Sequence, residues 1–236
     1  MLSIGQCYLE FVNKILKEGK ETYKDSDHHL KEYLGNYYYI DDPLDLKFRA
    51  KYQHMTPELM LEEIKKGRYD IDACPIKGDA LYEYVKSFEI RDDQGFVYTY
   101  PNRILEHFGV DQFEVMKERI LTATGSNRAV AVTYDPKLDH DREDIPCLQF
   151  VQMLVRDGEL TIHVIFRSND IFGAFYSNMF FICYMGIKMK EEVNKEIMGE
   201  KLNFGGIHYH STSGHIYNND MRAARKLISA NKAALK

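Results

Sequence analysis

The stretch from 150 to 166 restricts the folds open to this chain more than any other. Residues 150–155 and 160–166 are strand-length runs of large apolar and β-branched residues, and Asp157-Gly158 stands between them. Asp-Gly suits a two-residue hairpin turn, because glycine accepts the positive φ that such turns need. An antiparallel hairpin is therefore expected near the middle of a sheet. Counting outward from the turn, Arg156 faces Glu159, and in an unbroken ladder Cys147 faces Ser168. A thiol, a hydroxyl and the guanidinium of Arg167 then gather at the open end. Side chains alternate across a strand, so in that register Arg167 points away from Cys147. A role for it beside the sulfur requires a bulge or a strand end.

The chemistry of such a site follows from the side chains. A thiolate is a nucleophile, and a nearby guanidinium both favours it and offers planar hydrogen bonds to an anion. Further on, Asn178 opens an apolar run, 179–189, that reads as a buried helix. An amide can read a flat heterocycle that carries an adjacent C=O and N–H. A solitary strand cysteine is most often a small buried hydrophobe. The company of Arg167, Ser168 and Asn178 is what marks Cys147 as a candidate nucleophile.

Pro146-Cys147 with its Gln-Phe strand, Arg167-Ser168-Asn169-Asp170 and Asn178 together resemble the nucleophile and nucleotide segment of the thymidylate synthase and pyrimidine hydroxymethylase superfamily. His215-Ile216-Tyr217 is similar to that family's sugar-binding motif. The run 95–103, containing Tyr98 and followed by Asp111-Gln112, is similar to its tyrosine loop. Ser126-Asn127-Arg128 stands where the family usually has Ser-Arg-Arg. The resemblance covers roughly residues 95–225 and is closest to the compact archaeal-type synthases.

The resemblance implies an α+β fold: a large, twisted, mixed but mostly antiparallel sheet, flanked by helices on one side and packed through its other face on a second copy in a homodimer. It implies transfer of a one-carbon unit from a reduced pterin to C5 of dUMP through a covalent bond from Cys147 to C6, forming dTMP. The pterin would be 5,10-methylenetetrahydrofolate or a relative such as tetrahydromethanopterin. Carried over by position, Arg167, Ser168 and Arg128 from the partner chain hold the phosphate. Asn178 reads the uracil edge, and His215 with Tyr217 holds the 3′-hydroxyl. Tyr98 belongs to the proton-transfer network, Asp170 contacts the pterin, and Glu83 or Glu62 relays protons. By position the polar stretch 20–31, with Lys20, Lys24 and His28-His29, resembles a flexible phosphate-binding loop. Hydroxymethylation of dUMP or dCMP on the same scaffold is the first alternative, although cytosine enzymes carry Asp where Asn178 stands. An inactive nucleotide-binding regulator is the second. Ser177, the lack of Trp and an early C-terminus depart from the family at the folate end.

Composition agrees with one soluble domain spanning 1–236. The net charge of -5 gives no general attraction to nucleic acid or an anionic membrane. No apolar run approaches the ~20 residues a spanning helix needs. Four cysteines without Cys-x-x-Cys spacing read as reduced thiols of a cytoplasmic protein. His208 and His210 lack further ligands, so no metal is expected. The remaining periodicities predict helices over 5–17, after Thr56-Pro57, over 81–88, 110–121 and 219–227, and strands over 34–40, 126–134 and 207–209.

Overall fold

The computed structural model describes residues 1–23 and 29–235. In chain order these form α1 (Ile4–Glu18), β1 (Lys20–Tyr23), β2 (His29–Ile40), α2 (Pro57–Lys65), α3 (Asp79–Lys86), α4 (Tyr100–Leu105), α5 (Gln112–Thr122), β3 (Val130–Val132), β4 (Leu148–Arg156), β5 (Glu159–Asp170), α6 (Phe175–Glu196), β6 (Asn203–Tyr217) and α7 (Met221–Ala230). Helix starts follow their caps: Ser3 forms a capping box with Gln6, and Thr56 and Asp111 cap α2 and α5. The strands make a mixed sheet in the order β1-β2-β6-β5-β4-β3, antiparallel throughout except between β5 and β6.

The hairpin forms as its turn predicts, with Asp157 and Gly158 at φ 50° and 74° and Arg156 opposite Glu159. The ladder keeps the expected register as far as Phe150, which faces Ile165, and then slips so that Leu148 faces Phe166. Gln149 is the extra residue of a β-bulge. Its consequence corrects the expected pairing: Cys147 stands opposite Arg167, not Ser168, and the Arg167 N–H donates to the Cys147 carbonyl at 2.9 Å.

One sheet face is closed by helices. Val151, Met153, Leu160, Ile162, Val164, Phe166 and Tyr209 point into this core. Every residue of α6 from Phe175 to Ile187 is buried, as suits a helix that is apolar all round. It lies on the sheet through Gly186, where a Cβ would stand 2.4 Å from the Phe204 ring. Two buried charges complete the layer. Lys190 donates to the carbonyls of Tyr52 and Met55, both at 2.8 Å, and Arg103 pairs through two bonds with Asp139 at 2.7 and 3.0 Å. The other face carries no helix among the described residues. Tyr37, Val130, Val132 and Ile165 are exposed there, beside a stack of Tyr39, His208 and His163 with 4.1 Å between ring centres.

Several boundaries differ from the sequence reading. The stretch 20–31 is not wholly a loop: Lys20–Tyr23 pairs with His29–Glu32 as an edge hairpin, while Lys24 and His28 lie outside the described residues. The strand expected over 126–134 shrinks to Val130–Val132, because Ser126 turns the backbone and its hydroxyl accepts from the Arg128 N–H. The strand expected over 207–209 instead runs on through His215 to Tyr217, held by β2 on one side and β5 on the other. Among the described residues no helix is long and apolar enough to cross a membrane.

Candidate active site

A cavity of about 1000 Å³ opens where the ends of β5 and β6 meet the start of α6, α3 and the 94–101 segment. Tyr98, Cys147, Arg167, Ser168, Asp170, Asn178, His215 and Tyr217 all line it. The slip at Gln149 is what allows Cys147 and Arg167 to share this cavity. Arg167 also fixes the approach to the sulfur: its Nε and Nη2 donate to the carbonyls of Pro146 and Ile145 at 3.1 and 2.8 Å. Cys147 is half-buried, whereas Cys7, Cys74 and Cys183 are buried core residues.

Three phenols surround the thiol. Burial, followed by the charges at Cys147 and Asp144, pushes the Tyr98 hydroxyl up, and Arg167 and a hydrogen bond with the Cys147 backbone oppose it. Tyr84 and Tyr100 are raised chiefly by burial as well. All three therefore stay protonated at neutral pH and can donate. The Tyr100 oxygen accepts the Leu148 N–H at 3.3 Å, which ties α4 to the strand behind the sulfur.

The far side of the cavity is polar. Ser168 Oγ lies 3.3 Å from His215 Nδ1, and Ser213 Oγ donates to Glu32 at 2.5 Å. Burial pushes the Asp170 carboxyl up to about 6 despite the N–H of Gly173, which donates to it at 3.0 Å. Glu32, Asp92, Asp144 and Asp170 all line the cavity, against Arg167 as the one Lys or Arg among its described lining residues. A single guanidinium is a weak match for a dianionic phosphate.

Asn178 meets partners on both sides of its amide. The Tyr84 hydroxyl donates to Oδ1 at 2.6 Å, and Nδ2 donates to Asn169 Oδ1 at 3.3 Å. At the mouth, Phe96 and Val97 are exposed apolar lining, 66% and 52% accessible. With Asp170 inside, this wall suits a flat ring system carrying N–H donors and an apolar extension. The volume reaches the upper end of the ~300–1,000 Å³ usual for ligand sites, so two ligands can share it. Among the described residues no group of three or more His, Cys, Asp and Glu could hold a metal ion.

The other expected residues lie elsewhere. Glu83 is exposed on α3 and faces away from the cavity, and Glu62 on α2 is exposed and 3.8 Å from Lys66. The helical period explains both. Leu81, Tyr84, Val85 and Phe88 form one face of the α3 segment, which turns Tyr84 inward and Glu83 out. Met60 and Ile64 likewise turn Glu62 to solvent. Arg128 is exposed near the start of β3 and does not line this chain's cavity. Ser177 is buried, bonded to the Ala174 carbonyl at 3.1 Å, and Lys20 is exposed on the edge strand. The sequence reading missed Tyr84 and Glu32 and gave Asn169, named within the Arg167–Asp170 motif, no role of its own; the spacing of 81, 84, 85 and 88 was the available signal for Tyr84.

The family model for thymidylate synthase matches residues 6–235. A protein of Methanothermobacter marburgensis provisionally named as a thymidylate synthase is 31% identical over 95% of both chains. One of Methanothermobacter thermautotrophicus is 32% identical over the same share of each. A third, from Methanocaldococcus jannaschii, is 30% identical over 91% of this chain and 88% of its own.

Proposed function

Because the chain belongs to the thymidylate synthase family, a family of methyltransferase-type enzymes, we propose that it transfers a one-carbon unit to C5 of dUMP to form dTMP. The sulfur of Cys147 adds to C6 of the uracil ring, and the electrons of the C5–C6 double bond move onto C5 and O4. Asn178 meets the developing charge, its N–H on O4 and its carbonyl oxygen on N3–H. Tyr98, held protonated by burial and hydrogen-bonded to the Cys147 backbone, belongs to the proton network around C5. His215 and Tyr217 hold the sugar 3′-hydroxyl, and Arg167 and Ser168 hold the phosphate.

A reduced pterin, methylenetetrahydrofolate or a methanopterin relative, would be held between Asp170 and the Phe96-Val97 wall. It would supply both the one-carbon unit and the hydride that reduces it to the methyl of dTMP, leaving as the oxidised pterin, while the C5 proton passes to the proton network and the bond from Cys147 to C6 breaks. That Arg167 is the one Lys or Arg among the cavity's described lining residues supports a second guanidinium, Arg128, arriving from a partner subunit. The exposed sheet face with Val130, Val132 and Ile165 suits that partner and supports an isologous homodimer of single-domain chains. Four cysteines without a disulfide among them suit a reducing compartment and support a cytoplasmic enzyme.

The observation that carries this reading is the bulge that brings Cys147 and Arg167 to one cavity with Asn178. Release of tritium from [5-³H]-dUMP in the presence of methylenetetrahydrofolate or its methanopterin counterpart tests it. Release is expected from the natural chain and not from Cys147→Ser. No release from either, with dUMP demonstrably bound, would rule the reading out. Asp92 and residues 94–97 line this cavity and are exposed in the isolated chain, so its wall is open to solvent. That favours dUMP hydroxymethylation as the second reading, and the mass of the product separates the two.

A further inference from the structure

We propose that Tyr84 and Asn169 are positioning residues that lock the Asn178 amide in one of its two orientations, and so decide which pyrimidine the cavity accepts. This rests on the reading of Asn178 as the contact to the base and extends it. An amide is nearly symmetric in shape, but a half-turn exchanges its carbonyl oxygen and its NH₂ group. One orientation complements uracil, with O4 as acceptor and N3–H as donor. The other complements cytosine, whose 4-amino group donates and whose N3 accepts. Nothing within Asn178 itself chooses between them.

The choice is made by the two neighbours that hold the amide, one on each side, within a buried set of hydrogen bonds. Asn36 Nδ2 donates to the Tyr33 carbonyl at 2.8 Å, and a backbone carbonyl can only accept. The same nitrogen faces Ser211 Oγ at 3.5 Å. Ser211 also neighbours the Tyr209 phenol, whose oxygen takes the Asn169 Nδ2 at 3.1 Å. With its nitrogen so engaged, Asn169 turns Oδ1 toward Asn178. That oxygen accepts Asn178 Nδ2, and Tyr84 donates to Asn178 Oδ1 from the other side. The amide is left with one N–H and one lone pair side by side, which is the complement of uracil. Asn36, Asn169, Asn178 and Ser211 are all buried, a setting in which these hydrogen bonds are stronger than in water.

The test is the affinity of the full-length protein for dUMP and for dCMP, by titration calorimetry, in the natural chain, Tyr84→Phe and Asn169→Ala. Each substitution frees the amide from one side. The preference for dUMP over dCMP is expected to fall roughly tenfold in each, the scale of one lost hydrogen bond. Tyr184→Phe removes a hydroxyl bonded to Glu89 outside the cavity and is expected to leave the ratio unchanged. If Tyr84→Phe does not fold, Asn169→Ala reads the same amide from its other side. Equal weakening toward both nucleotides, with the ratio intact, would overturn the inference. A natural chain that binds neither nucleotide would overturn the functional reading and this inference with it.

Discussion

Replacing Asp170 with Asn should make the protein more stable at neutral pH and less so, relative to the natural chain, as the medium becomes acid. Burial raises this carboxyl from 3.8 to about 6. Below pH ~4 the carboxyl is protonated in both folded and unfolded chains, and the substitution is nearly neutral. Between ~4 and ~6 the unfolded chain releases a proton that the folded chain retains, so stability falls as pH rises. The shift of roughly two units corresponds to about 3 kcal/mol, at 1.36 kcal/mol per unit. An Asn oxygen still accepts the Gly173 N–H, so little of that gain is offset. Thermal unfolding without ligand, repeated from pH 3.5 to 8, should show two curves that coincide in acid. They should separate by roughly 5–10 °C at pH 7, the scale for a chain of this length. Parallel curves, or a variant less stable at pH 7, would refute the reasoning. Activity should fall in the same variant, since a destabilised charge at a ligand site is commonly retained for function.

Other perturbations read different parts of the account. Gly186→Ala should cost about 1–3 kcal/mol in urea unfolding, since its new methyl meets the Phe204 ring; an unchanged midpoint would show that α6 can move off the sheet freely. Arg103→Met strands the buried Asp139 carboxylate and should cost about 3–5 kcal/mol, with part of the loss recovered by adding Asp139→Leu. No recovery would mean that the carboxylate has another buried role. Mixing Cys147→Ser with Arg128→Ala subunits should restore roughly a quarter of natural activity, because half the dimers then hold one complete site. Mixtures no better than their parents would place Arg128 outside the partner's site.

The sheet core was legible because it obeys simple periods. Alternation over 150–155 and 160–166 and the Asp157-Gly158 turn predict strands, register and buried face together. The bulge at Gln149 was not legible, since nothing in Leu148-Gln149-Phe150 marks an extra residue, yet it decides what faces Cys147. The hairpin of β1 with β2 escaped for another reason: its polar residues show no alternation, and its order comes from pairing along β6. Most of the candidate site was readable as an ordered series of motifs. Glu83 was misplaced where resemblance by position overrode the helical period, and Leu81, Val85 and Phe88 turn its neighbour Tyr84 inward instead. Glu32 enters the cavity only through the pairing of β2 with β6, which no local pattern encodes, and the pairing of β5 with β6 sets Asn169 beside Tyr209, a partner its motif does not reveal.

The most direct measurement is the intact mass of the protein after incubation with 5-fluoro-dUMP and a reduced methylene-pterin. The account predicts a stable adduct on the peptide containing Cys147, absent from Cys147→Ser. An unmodified natural chain with nucleotide in the cavity, or an adduct that persists in Cys147→Ser, would contradict it.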